Sequence, residues 1–239
     1  MYYGYPFRFY FDPTYFLLII GMIFSLAASA KMKSTFAKYR RVRSDSGLTG
    51  AQTAQRILHA VGIYDVEIIP ISGSLTDHYD PRTKRLALSQ DVYGQTSVAS
   101  VCVAAHECGH AIQHATHYAP LSIRGALVPV ANFGSSISWP LIIVGLFMRG
   151  DMAAFLINIG ILLFSAAVLF QIVTLPVEIN ASRRAMNILE GTGMLYPDEA
   201  GKARSVLRAA ALTYVASAAS AILQLLRLLI LTRGRRNDD

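Results

Sequence analysis

At 239 residues the chain has room for one domain, or for a small domain with membrane spans. Hydrophobic residues make up 53% and charged residues 15%, against about 25% charged in ordinary soluble domains. That balance excludes a wholly water-facing globule, because one small core cannot hide so much apolar surface and lipid is the natural second solvent. The formal net charge of +7 is unevenly placed: Lys31, Lys33, Lys38, Arg40, Arg41 and Arg43 follow directly on an apolar run. In that juxtamembrane position basic residues set orientation, so topology is the reading and nucleic acid is not expected as a partner.

In chain order, Met1 to Asp12 is rich in Tyr and Phe and reads as an interfacial aromatic belt. Thr14 to Ala30 is a charge-free apolar stretch with its positive charge after it, opposite to a signal peptide, so a retained anchor is expected. Ser44 to Gly62 reads as a helix with a polar entry and a glycine stop. Val66 to Ile71 is β-branched and strand-like, and Asp77 to Leu88 suggests two short strands around an Asp-Pro turn. Gln95 to about His117 is expected as one long helix. Cys102 and Cys108 lie on it, separated by about 9 Å of rise, too far for a disulfide within the helix. Free thiols there suit a reducing compartment.

Val128 to Met148 is a second apolar stretch containing Pro129 and Pro140, and Arg149-Gly150-Asp151 makes a tight turn. Met152 to Leu175 would span about 36 Å as a helix, enough for a bilayer. Pro176 to Arg208 is polar again, read as a new helix carrying Glu178 near its start, and Ala209 to Thr232 is a last apolar segment. The domain expectation is therefore an anchor at 1–30, a catalytic domain at 31–127, a transmembrane hairpin at 128–175, a ligand-bearing helix and connection at 176–208, and an apolar helix and tail at 209–239. The positive-inside rule places the soluble part in the cytoplasm. Arg233, Arg235 and Arg236 would then lie outside if the last segment spans, against the rule, so it is expected either to cross or to lie in the interface.

The chemistry is concentrated in His106-Glu107-Cys108-Gly109-His110. Residues four apart on a helix share a face, so His106 and His110 present two imidazoles to one ion, with Glu107 placed to take a proton from water. Five-residue matches of this kind arise by chance. Here, though, the helix is otherwise Ala, Val, Cys and Gly, where two histidines and a glutamate would be costly without a ligand. A catalytic zinc takes a third protein ligand. His114 lies about 12 Å from His106 along the axis and cannot share the ion. Ile112 and Thr116 stand where a third-histidine pattern needs Gly and His. Glu178 is the candidate, since two spans separate it from His110 and a hairpin would return it to the same membrane face; Glu190, Asp198 and Glu199 share that face in looser sequence. An oxyanion donor is sought among Tyr214, Arg208 and the nearby histidines. Strand Arg85 to Ser89 could pair with an extended substrate.

Three segments, DHYDPRTKRLALSQDVY, SVASVCVAAHECGHAIQ and LPVEINASRRA, resemble the YugP-type neutral zinc metallopeptidases of bacterial membranes. In layout the chain is also similar to the HtpX-like gluzincins, where a membrane hairpin separates the histidine motif from a glutamate ligand. The resemblance implies that His106, His110 and Glu178 bind one zinc per chain and that Glu107 is the general base. HtpX-like enzymes carry Asp four residues after the ligand glutamate; Ser182 stands there, leaving Asn180 or Ser182 to orient a ligand imidazole. The expected molecule is α+β and mainly helical. It has 3–4 transmembrane helices and a zincin-like cytoplasmic domain with a small β-sheet, and it cleaves protein or peptide substrates at the inner membrane. The alternative is a non-catalytic membrane adaptor or chaperone with a structural metal site; that needs a closing ligand such as Cys, but Cys108 points away from the metal face and Cys102 is poorly aimed, so an open catalytic site is expected. A transporter is disfavoured, because no acidic residue sits mid-span.

Overall fold

The computed structural model describes residues 12–235, with side chains through residue 232. The expected aromatic belt therefore lies, but for Asp12, outside the described residues, as do the side chains of Arg233, Arg235 and Arg236. Helix α1 (Tyr15–Tyr39) begins after Asp12, whose carboxylate accepts from the Thr14 backbone N–H at 2.9 Å. It does not stop at Ala30: lysines are good helix formers and carry it through the basic cluster.

Helix α2 (Gly50–Ala60) is shorter than the sequence suggests. Its start is set by a capping box in which the Thr49 hydroxyl accepts from the Gln52 N–H at 3.1 Å and the Gln52 amide oxygen accepts from the Thr49 N–H at 3.0 Å. The preceding Ser44 to Leu48 is consequently a non-helical loop.

Strands β1 (Glu67–Ile71), β2 (His78–Asp80) and β3 (Arg85–Ser89) form one sheet in the order β1-β3-β2. β3 pairs in parallel with β1 and antiparallel with β2. With both edges occupied, β3 cannot pair with an incoming peptide, which corrects the expectation for Arg85 to Ser89; β2 holds an outer edge instead. Its central position explains why Leu86, Ala87, Leu88 and Ser89 are buried in succession.

A short helix α3 (Gln90–Tyr93) separates the sheet from α4 (Val98–Ala115), so the expected single helix from Gln95 starts three residues later. The reason is local: the Ser97 hydroxyl accepts from the Ser100 N–H at 3.1 Å and caps α4. α4 has 15 buried residues among its 18 and is the centre of the main hydrophobic core, packed by Ile57, Leu58, Leu88, Leu189 and Val206.

Helices α5 (Ala119–Phe147) and α6 (Asp151–Gly191) form a hairpin turning at Gly150, whose φ of 77° is readily open only to glycine. α5 begins well before the expected Val128. α6 does not break at Pro176 but runs through it, so Glu178 sits mid-helix and not at a helix N-terminus. A proline removes one ladder bond, a loss that long apolar helices tolerate where neighbouring helices, hydroxyl side chains or small backbone adjustments satisfy the freed carbonyl. Helix α7 (Pro197–Arg235) is likewise continuous. Its first turn is tied by Glu199, 1% exposed, whose carboxylate accepts from the Tyr196 N–H at 3.0 Å and the Asp45 N–H at 3.1 Å. α7 packs along α1, where the Ser220 hydroxyl donates to the Gly21 carbonyl at 2.8 Å. At the same end of the pair, just before and at the start of α1, Arg227 lies 3.5 Å from Asp12 and 4.5 Å from the Tyr15 ring centre.

Among the described residues, four helices are long and apolar enough to cross a membrane: Tyr15–Tyr39, Ala119–Phe147, Asp151–Gly191 and Pro197–Thr232. The molecule is mainly helical with one small sheet, as expected. The last apolar segment joins the other three as a candidate span.

Candidate metal centre

Burial and helical spacing build the centre from α4 outward. His106 and His110 stand one turn apart with ring centres 4.8 Å apart and planes at 87°. Both Nε2 atoms turn toward α6, where Glu178 Oε2 lies 3.2 Å from His106 Nε2 and 3.5 Å from His110 Nε2. The approach of the two helices depends on Gly109: a Cβ there would sit 2.5 Å from the Ala181 carbonyl oxygen. A side chain at 109 would push away the helix that carries Glu178.

Glu178 is 2% exposed, and a buried carboxylate is costly unless it is partnered. Its second oxygen accepts from Arg124 Nη1 at 3.1 Å. One ligand atom each from His106, His110 and Glu178 lies within 4.8 Å of the others, and all three residues are buried. Two imidazole nitrogens and a carboxylate oxygen converging in this way fit a divalent zinc ion, with a coordination position left for a reactant.

Each imidazole is held from behind. His106 Nδ1 is 3.1 Å from the Ser182 hydroxyl, and His110 Nδ1 is 3.1 Å from the Gln113 amide oxygen. Both sequence candidates are therefore in use, Ser182 directly and Asn180 through Gln113, whose Nε2 donates to Asn180 Oδ1 at 3.0 Å. Burial opposes a charged His110, but the bond to Glu178 and the charges of Glu107 and Glu178 outweigh it, raising its pKa above the ordinary 6.5.

The centre opens into a cleft of ≈ 550 Å³ whose lining includes Glu107, His110, Glu178, Arg124 and Tyr214. One wall is β2, contributing Tyr79, and His114 and His117 line the same space. The Tyr79 hydroxyl is 2.9 Å from His114 Nδ1, and burial pushes the Tyr79 pKa up to about 12. Of the oxyanion candidates, Tyr214 and the histidines border the cleft, whereas Arg208 is exposed and does not line it. Glu190 pairs at 2.7 Å with Arg204, and Glu199 serves the α7 cap; neither joins the centre. Cys102 and Cys108 are buried in the core, the Cys108 thiol donating to the Ala54 carbonyl at 3.6 Å. Burial raises both thiol pKa values, so neither is a ready thiolate.

Sequence reasoning missed Arg124 and Gln113. Gln113 carries a usable signal, being three residues after His110 and so on the same helical face. Arg124 carries none, since it was counted in the soluble segment and reaches Glu178 only because α5 starts early.

The family model described as "Putative neutral zinc metallopeptidase" matches residues 14–233. A curated relative, "Putative membrane protease YugP" of Bacillus subtilis (strain 168), is 45% identical over 224 residues, covering 94% of this chain and 98% of the relative. No solved structure matches the chain.

Proposed function

Because this chain belongs to the family of putative neutral zinc metallopeptidases, we propose that it is a membrane endopeptidase cutting membrane or membrane-proximal proteins on the cytoplasmic side. The observation that carries the reading is the convergence of His106, His110 and Glu178 within 4.8 Å beside an open cleft. These three residues would hold one zinc per chain. When bound, the ion supplies Lewis acidity, lowering the pKa of a water toward about 7 and polarising the scissile carbonyl.

The remaining work falls to the protein's own groups. Glu107, 7% exposed and lining the cleft, takes a proton on its carboxylate and later passes it to the leaving amine. Tyr214 donates its phenolic O–H to the developing oxyanion from the α7 side of the cleft. β2 presents its outer edge to an extended peptide, whose backbone would add to the sheet as a further strand.

Substrate class follows from what encloses the cleft. One wall is sheet, and the other is made of α5 residues such as Arg124 and Val128 and of Tyr214 on α7, both candidate spans. A peptide emerging from the bilayer meets such a cleft directly. The basic cluster after Ala30 supports a cytoplasmic position for this side, since such clusters are retained there. On this reading 31–127 is the catalytic domain together with the first turns of α5, 128–175 the apolar part of the α5–α6 hairpin, 176–208 the end of α6 with Glu178 and the start of α7, and the apolar remainder of α7 from 209 closes the bundle. The adaptor alternative requires a fourth protein ligand, and among the described residues the cluster has three.

The test is elemental analysis of the detergent-solubilised protein together with cleavage of an unfolded membrane-protein substrate. The parent should hold about one zinc per chain, Glu178→Ala should lose it, and Glu107→Gln should keep it while cleavage falls by about 10²–10⁴-fold. Cleavage retained in Glu107→Gln would overturn the mechanism. Zinc retained in Glu178→Ala would overturn the ligand set.

A further inference from the structure

A chain of hydrogen bonds runs behind His110, and its polarity can be deduced without reference to any hydrogen position. It begins at Arg184, whose Nε can only donate and lies 2.8 Å from the Asn180 side-chain oxygen. The Asn180 atom facing inward is therefore an acceptor. Gln113, 0% exposed, turns one end toward that oxygen at 3.0 Å and toward the Val177 carbonyl at 2.8 Å. Two acceptors at one end require that end to be the amide NH₂. The other end is then the carbonyl oxygen, which faces His110 Nδ1 at 3.1 Å and can only accept. His110 must carry a proton on Nδ1, so the neutral imidazole that binds a metal keeps its lone pair on Nε2, the nitrogen on the Glu178 side of the ring. An amide in either orientation would fill the same space; Arg184 and the Val177 carbonyl choose between them.

We infer that Gln113 is the positioning residue that fixes His110 as an Nε2 metal ligand, its orientation set by Arg184 through Asn180 and by the Val177 backbone. The inference rests on the reading of His106, His110 and Glu178 as the zinc site. His106 is held differently, because the Ser182 hydroxyl can donate or accept and so imposes no tautomer. Both acceptors that orient Gln113 belong to α6, the helix that supplies Glu178. Docking α6 on α4 thus delivers the third ligand and fixes the form of the second in one contact.

The test is zinc affinity, measured by chelator competition on the full-length detergent-solubilised protein, alongside the melting temperature of each metal-free variant. Gln113→Met keeps the volume but offers His110 no oxygen, and it should bind zinc about 10–100-fold more weakly. Gln113→Glu keeps an acceptor for His110 Nδ1 but sets a carboxylate against the Val177 and Asn180 oxygens. It should lower the metal-free melting temperature yet bind zinc within about threefold of the parent, since carboxylates also orient ligand imidazoles. A purely structural role predicts that affinity and stability fall together. Parent-like affinity in Gln113→Met, or equal weakening in both variants, overturns the inference. Should Gln113→Glu not fold, Asn180→Leu decides: removing one of the two orienting acceptors should weaken zinc at least threefold, and no change overturns the inference. His110→Ala separates the two levels, because zinc bound there as tightly as in the parent would sink the site reading itself.

Discussion

His106 and Glu178 lie 72 residues apart in sequence and come within 3.2 Å of one another, Nε2 to Oε2. One belongs to the most buried helix of the main core, and the other to a helix long and apolar enough to cross a membrane. Their meeting makes the centre a joint between the two parts of the molecule, and it governs how substitutions should behave.

Arg124 holds the Glu178 oxygen that does not face the histidines. Arg124→Gln should leave the three candidate ligands in place but let the carboxylate turn, weakening zinc about tenfold. Chelator competition reads this directly, and unchanged affinity would mean that the ion pair has no share in orienting Glu178.

At Gly109 the backbones of α4 and α6 approach closely. Gly109→Ala places a methyl group against the Ala181 carbonyl and should destabilise the protein by about 1–3 kcal/mol. Gly201→Ala, in α7 with nothing within 4 Å of the added carbon, serves as the control and should be neutral or stabilising by up to about 1 kcal/mol. Melting temperatures in one detergent compare the two, and equal behaviour would refute the close-approach argument.

Tyr214→Phe removes only a hydroxyl from the cleft. Zinc content should stay at the parent level while kcat falls by about 10²–10³-fold with little change in KM, the pattern of a donor used in the transition state. A change confined to KM would assign Tyr214 to substrate binding instead.

The pH response follows from His110, whose metal-free pKa lies above 6.5. For a group with a raised folded-state value, the stabilisation is fully present below the unfolded value of about 6.5 and is lost as pH rises through the folded one. Metal-free protein should therefore lose stability as pH rises above about 6.5. Zinc needs the neutral imidazole, so its apparent affinity should move the other way, falling as pH drops through the same range. Melting curves with and without zinc across this range measure both, and parallel slopes would contradict the assignment.

Much of this was legible in the order of residues. The apolar runs, the strand signals and the His106–His110 pair are local patterns, decided by periodicities of two and 3.6 residues and by how long a segment stays uncharged. Even the return of Glu178 to the face bearing His110 follows from counting two spans. What failed were places where distant contacts overrule local preference. Pro176 reads as a helix start, yet α6 continues through it, and Arg85 to Ser89 reads as an edge strand until β1 and β2 occupy both its sides.

The sequence alone determined which groups could bind a metal and that His106 and His110 share one face of a helix, because ligand chemistry and helical spacing are properties of neighbouring residues. Only the tertiary structure decided that Gln113 fixes the His110 tautomer, that Arg124 holds Glu178 and that Gly109 lets α6 close on α4. Those depend on the distance and rotation between helices packed together from far-separated parts of the chain. A hydrogen bond forms or fails within a few tenths of an ångström, and no periodicity carries information at that scale.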